Sequence, residues 1–281
     1  MNTAKNALDW AHQAGRRWRA NLDPLERTIA PIGDATLALA AVQTGERVLD
    51  VGCGGGLTSL ALAERVGDGG EVLGIDIAPP LIETARARAA EHEFRNLRFL
   101  LADAATVTLQ PGGYDCLFSR FGLMFFQDPA GALCNLRAQL RSGGRIVFCC
   151  WGSPQQNPWA SLLGGIIRRH LDLPAPDPLA PGPFAFADTV RLQSLLQGAG
   201  FGNLQLQPWE GSTLVGGGGF DVAQAADFAL QSFSGAEVLK AQPQAVQQTV
   251  RDDYMATLEP HLTADGVALG AMAWLVRGEA I

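Results

Sequence analysis

The stretch Val48–Gly56, VLDVGCGGG, decides the reading of this chain: an apolar run stops on an acid, Asp50, and Gly52, Gly54, Gly55 and Gly56 follow within six residues. Glycines this dense allow left-handed backbone and a close approach to a ligand. The loop runs into LTSLALAERV, a helical pattern whose first-turn amides and positive dipole end suit an anionic group. An acid on one side and amides on the other suit a ligand with both an ammonium or sulfonium and a carboxylate. Asp50 could equally orient the loop through hydrogen bonds to backbone.

Two phosphate-binding patterns fit less well. The dinucleotide fingerprint needs a third glycine where Leu57 stands. A phosphate-cradling P-loop needs a lysine, and none lies between Lys5 and Lys240. Further along, GID closes a second apolar run on Asp76, 20 residues beyond Gly56, where nucleotide-binding α/β folds place the acceptor for ribose hydroxyls. LLAD closes a third run on Asp103. Three successive strands thus end on acids at the edge where open α/β sheets bind ligands.

The runs RVLDV, EVLGID, LRFLLAD, YDCLFS and GRIVFCCW alternate with helical segments: LTSLALAERV, PPLIETARARAAEH and PAGALCNLRAQLRSGG. This alternation of near-continuous apolar strands with helices predicts a doubly wound α/β fold. Residues 1–42 read as an N-terminal helical cap carrying Leu8, Trp10 and Trp18, and residues 43–281 as the sheet domain. Insertions at 152–187 and 211–265 are expected to cap the substrate. In the first, Pro174, Pro176, Pro178, Pro181 and Pro183 interrupt regular structure. Asp188 and Gly200 suit the two ends of a helix that leads to the strand-like NLQLQPW. The tetraglycine Gly216–Gly219 reads as a flexible connector, and GAMAWLVRG as a last strand beside NLQLQPW at the sheet edge.

On these residues the chain resembles the class I S-adenosylmethionine-dependent methyltransferases, in the small-molecule branch similar to ubiquinone/menaquinone-type enzymes. VLDVGCGGG, GIDIA, LLADA and YDCLFSRFGLMFFQDP carry the resemblance over Arg47–Trp151. It implies a Rossmann-like, seven-stranded, mostly parallel sheet with one reversed edge strand, and S-adenosyl-L-methionine as cofactor with S-adenosyl-L-homocysteine as product. It implies that Gly52, Gly54 and neighbouring backbone, Cys53 included, hold the methionine part, with Asp50 as a further cofactor-binding candidate, that Asp76 takes the ribose and that Ile77 packs on adenine. Asp103 would accept from the adenine amino group beside Ala104. Ser119 and Arg120 would sit at the methyl-transfer edge.

Methyl transfer is an in-line displacement in which alignment and exclusion of water dominate, so a general base is optional. Arg120 and His12 are the weak catalytic candidates in the sequence, and Trp10, Arg120, Phe121, Met124, Phe125 and Trp151 the candidate acceptor pocket. Trp18, Trp159, Phe184, Phe186 and Trp209 are further aromatic residues suited to roofing a cofactor.

A formal net charge of −7, with no lysine/arginine-rich run, argues against nucleic acid. No apolar stretch approaches the roughly 20 residues of a membrane span, and five cysteines without paired spacing suggest a reducing, cytoplasmic setting. The expected partner is a small-molecule acceptor, methylated at O, N or C in secondary metabolism or quinone-like biosynthesis. No metal is expected, and a homodimer is left open. Three other readings stay in view: an enzyme of the same fold with non-methylating chemistry, an NAD-dependent oxidoreductase, and a non-catalytic cofactor-binding partner.

Overall fold

The computed structural model describes residues 9–281 except 175 and 234, so Leu8 and the rest of the first eight residues lie outside it. Two helices lead, α1 (Gln13–Ala20) and α2 (Leu22–Ala40). The alternating core follows as β1 (Arg47–Val51), α3 (Leu57–Val66), β2 (Glu71–Asp76), α4 (Pro79–Glu91), β3 (Leu97–Leu101), β4 (Tyr114–Arg120), α5 (Pro129–Gln139) and β5 (Leu140–Trp151). Then come α6 (Pro158–Leu171), α7 (Thr189–Gly198), β6 (Phe201–Leu214), α8 (Val222–Ser232), α9 (Ala236–Lys240) and α10 (Gln244–Leu258). The short β7 (Leu262–Thr263) and the long β8 (Gly266–Ala280) complete the chain.

The sheet runs β3-β2-β1-β4-β5-β8-β6, with β7 pairing β8 off this path. β1 to β5 pair in parallel, and β8 is antiparallel to both β5 and β6. The expected α/β class holds, with one correction: the reversed strand is not at the edge. GAMAWLVRG lies between β5 and β6, and NLQLQPW forms the edge. Residues alternate across the sheet, so Val48, Cys116, Phe118 and Val147 pack with α3 on one face while Leu49, Leu117, Ile146 and Phe148 join the larger core on the other. Burial on both faces explains why these strands read as unbroken apolar runs.

Two local expectations also change. Helix α5 ends at Gln139, and Leu140 already pairs with Tyr114. Gly143 and Gly144 therefore lie in the register shift between Tyr114 and Cys116, inside β5, rather than capping a helix. The tetraglycine is a close crossing and not a loose connector: Gly216–Gly219 all take positive φ, and a Cβ on Gly217 would collide with the side chain of Arg27 on α2. Asp188 does cap α7, accepting from the N–H groups of Val190 and Arg191, and Gly200 takes φ +87° just beyond it.

Candidate cofactor and acceptor site

The carboxyl ends of β1, β2 and β4 and the loop after β3 open into one cavity of about 670 Å³, roofed by α1, α2 and the segments after β5 and β6. Clefts that enclose small ligands have this size.

The glycine loop is held in place by the acids at the strand ends. The N–H groups of Gly52 and Cys53 both donate to Ile75 O, at 2.8 and 3.0 Å, which pulls the loop over β2. Gly54 N then donates to Asp76 Oδ2 at 2.9 Å, while Ala78 N donates to Oδ1 at 2.9 Å. Burial pushes the Asp76 carboxyl up, and the amides of Ala78, Gly54 and Ile77 oppose it. Asp76 still borders the cavity, and a carboxylate oxygen that accepts one amide keeps a lone pair for a ligand hydroxyl.

Gly52, Cys53, Gly54, Asp76, Ile77, Asp103 and Ala104 all line the cavity, so the structure brings this set together. Asp103 is exposed and accepts from Ala105 N at 2.9 Å, a turn that presents its other oxygen. At Gly54 the chain has φ +55°, and a Cβ there would meet nothing within 4 Å. It would project into the empty side of the loop, where backbone would meet a ligand. A backbone cradle, a diol acceptor and an amine acceptor are what S-adenosylmethionine requires, so the residues present fit that cofactor.

Three sequence expectations are corrected. Asp50 does not face the cavity: it is fully buried beneath the loop, and its Oδ2 accepts from Thr58 Oγ1 at 2.8 Å and Ser59 Oγ at 2.6 Å. It anchors the first turn of α3 instead of meeting a ligand cation. Ser119 is also fully buried, donating to Val51 O at 2.7 Å and accepting from Gly122 N at 3.2 Å. Its hydroxyl ties β4 to β1, and the residue does not reach the cavity. His12 precedes α1 on the outer surface, 2.9 Å from Asp9, and does not line the cavity.

The acceptor-pocket residues fare better. Trp10, Arg120, Phe121, Met124, Phe125 and Trp151 all line the cavity, as do Trp18 and Trp159. Phe121 stacks on Trp151 with centroids 4.2 Å apart, Trp151 meets Trp159 at 4.8 Å, and Trp159 meets Phe233 at 5.0 Å. Across the opening, Trp10 packs edge-on to Phe125 at 4.9 Å and to Trp18 at 5.7 Å. Phe184, Phe186 and Trp209 do not border this space; Phe186 packs under β5 against Phe148.

Asn157, unnoticed in the sequence, fixes the Trp159 ring. Its Oδ1 accepts from Trp159 Nε1 at 3.0 Å and Met272 N at 3.1 Å, and its Nδ2 donates to Ser153 O and Met272 O, both at 3.0 Å. Glu26 was equally silent. Buried on α2 at the cavity wall, it takes Arg88 Nη1 at 3.0 and 2.9 Å on its two oxygens, with Arg120 Nη2 4.0 Å away. An acid among apolar helix positions was its only sequence signal, since Arg88 is remote in the chain. Among the described residues no cluster suited to a metal ion occurs, and no helix is long and apolar enough to cross a membrane.

Comparison with known proteins agrees with this geometry. Residues 43–162 match the family described as "Methyltransferase domain". The chain is 41% identical over 118 residues to an aklanonic acid methyltransferase of Streptomyces sp. (strain C5), covering 42% of this chain and 54% of that one. It is 33% identical over 178 residues to the demethylmenaquinone methyltransferase of Thermus thermophilus, covering 58% of this chain and 77% of that one. It therefore spans about half the length of the first relative and three quarters of the second. Among solved structures, the YcgJ protein of Bacillus subtilis has the same fold, with a TM-score of 0.60 and 17% identity over 88% of this chain and 97% of that one. A glycine loop pinned by the acid of the second strand, in a sheet of this order, together with the relationship to the Thermus enzyme, establishes that the chain belongs to the class I S-adenosylmethionine-dependent methyltransferase family.

Proposed function

We propose that this protein transfers a methyl group from S-adenosylmethionine to a small-molecule acceptor, at O, N or C, in secondary metabolism or quinone-like biosynthesis. The observation that carries the reading is Asp76, which holds Gly54 N at 2.9 Å and still borders the cavity. The bound cofactor would supply an electrophilic methyl on a sulfonium. The chain's own residues do the rest: the Gly52–Gly55 backbone receives the amino-acid end, Asp76 the ribose hydroxyls, and Ile77, Asp103 and Ala104 the base.

The aromatic walls exclude water and hold the acceptor in line, the main requirement of a displacement. Helices α1 and α2, with the insertions at 152–187 and 211–265, form the acceptor cap; Trp159, Pro183, Thr213 and Phe233 reach the cavity from those insertions. The names of the relatives, an aklanonic acid methyltransferase and a demethylmenaquinone methyltransferase, support a small-molecule acceptor of secondary metabolism or quinone biosynthesis.

Calorimetric titration with S-adenosylmethionine, S-adenosylhomocysteine and NADH, repeated on Asp76→Ala, tests the cofactor assignment. Binding of the first two, weakened in the variant by about 1–3 kcal/mol for the lost acceptor, is the expected result. Binding of NADH alone, or of none of them, overturns it.

A further inference from the structure

The acceptor half of the cavity has aromatic walls, yet it contains polar groups that the protein leaves unsatisfied. The Arg120 side chain is only 10% exposed, and its stem passes over Gly33 of α2, where a Cβ would come within 2.9 Å of Arg120 Cδ. Its closest carboxylate, Glu26, is 4.0 Å away, beyond hydrogen-bond reach, and already holds Arg88 on both oxygens. Arg120 pairs with Cys149 through its backbone in the sheet, but among the described residues its guanidinium makes no hydrogen bond. The guanidinium lines the cavity with one long ion pair and so keeps its hydrogen-bonding donors for a ligand. Two atoms of other cavity-lining residues, Trp10 Nε1 and Ser232 Oγ, are buried and have no partner among the described residues.

We infer that Arg120 is the anchor of the acceptor, and that the acceptor is an aromatic or otherwise planar molecule bearing an anionic oxygen, carboxylate or enolate, which the guanidinium receives. This rests on the methyltransferase reading and deepens it. A planar guanidinium matches such an oxygen pair in two parallel hydrogen bonds. Phe121, next in the chain, begins the aromatic series that ends at Phe233, so a flat ring lies along that wall. An anion at this position also offsets the repulsion between Arg120 and a sulfonium in the same cavity. The role is binding and orientation; no proton moves to or from Arg120.

The test uses full-chain protein, with and without saturating S-adenosylhomocysteine, titrated by calorimetry with salicylate, hydroxynaphthoate and anthraquinone carboxylate, each against its methyl ester. At least one acid is expected to bind about tenfold or more tighter than its ester, the scale of a charge-assisted hydrogen bond. Arg120→Met removes that preference, Arg120→Lys keeps part of it, and S-adenosylhomocysteine binds both variants as it does the parent. The ratio of acid to ester in the parent protein stands whether or not a variant folds. Equal binding of acid and ester, no binding by any acid, or a preference that survives Arg120→Met overturns the inference. Failure of S-adenosylhomocysteine to bind overturns the cofactor reading separately, because the titrations without it still report on Arg120.

Discussion

The hydroxyl of Ser59 donates to Asp50 Oδ2 at 2.6 Å, binding the end of β1 to the first turn of α3 in a place water does not reach. Thr58 adds a second donor at 2.8 Å, while Oδ1 has no partner among the described residues. Burial therefore outweighs the two hydroxyls and the nearby Arg120, and pushes the carboxyl up to about 6.

A carboxyl raised in this way favours the folded state while it is protonated. Its contribution is complete below the unfolded value of 3.8 and is lost as the pH rises through about 6. Asp50→Asn keeps an oxygen for both hydroxyls and removes the buried charge. Thermal unfolding between about pH 4 and pH 7 should show a flatter decline in Tm for the variant than for the parent. Identical slopes would mean that Asp50 does not carry this dependence.

Two glycines of one loop are expected to respond differently. Gly52 has φ +68°, and a Cβ there would lie 2.9 Å from Gly122 Cα, so Gly52→Ala combines backbone strain with a clash against the chain after β4. Gly54 has φ +55° and open space around its missing Cβ. Gly54→Ala should cost about 1–2 kcal/mol of stability from the left-handed conformation, and Gly52→Ala more. Only Gly54→Ala should yield a well-folded protein with impaired S-adenosylhomocysteine binding, as read by melting curves and calorimetry. Normal binding by Gly54→Ala would place the ligand elsewhere.

Far from the cavity, Arg145 grips Glu46 with Nη1 and Nη2 at 2.8 and 2.7 Å. Burial alone would raise the Glu46 carboxyl, but the hydrogen bonds from Arg145 and Gln43 N prevail and hold it below its usual value. This contribution is present above the unfolded value of 4.5 and is lost as the pH falls through the lower folded value. Arg145→Met leaves a mostly buried acid alone and should cost about 3 kcal/mol, with cofactor affinity unchanged. Denaturant unfolding checks the first part; a loss below about 1 kcal/mol, the range of an exposed pair, would refute it.

Asn157 offers a link between stability and acceptor binding. Asn157→Leu strands Trp159 Nε1 and Met272 N in the core, at about 2–3 kcal/mol, while Met272 O keeps Gly152 N. It also frees the ring that forms part of the acceptor wall. Once an acceptor is known, KM for it should rise while affinity for S-adenosylhomocysteine stays constant. Parallel losses in both would show that Asn157 supports the whole cavity.

The nucleotide half of this architecture was legible because its signals are local. The helix pattern LTSLALAERV coincides with α3, and the acids at 76 and 103 follow from strand and loop chemistry within one stretch each. Asp50 was ambiguous for a physical reason: an acid before a glycine loop looks the same whether it faces a ligand or two hydroxyls in the next helix turn. Thr58 and Ser59 were the available clue. The position of β8 depends on pairing such as Trp151 with Ala273, which no local pattern encodes. The alternation of NLQLQPW, apolar then polar, against the nearly unbroken GAMAWLV was the signal that could have identified the edge strand. The Glu26–Arg88 pair was invisible, since it joins the leading helix to the second crossover.

The place of β8 between β5 and β6 also governs how the chain assembles. β5 ends at Trp151 and β6 begins at Phe201, yet neither touches the other in the sheet; each waits for residues after Gly266 to come between them. The parallel half, β1 to β5, pairs without β8, whereas the edge strand β6 has no partner until β8 is in place. Closing so long a loop is entropically slow. Until then the flank of β5, apolar from Ile146 to Trp151, lacks the strand that covers it, and exposed apolar strand edges of this kind favour association.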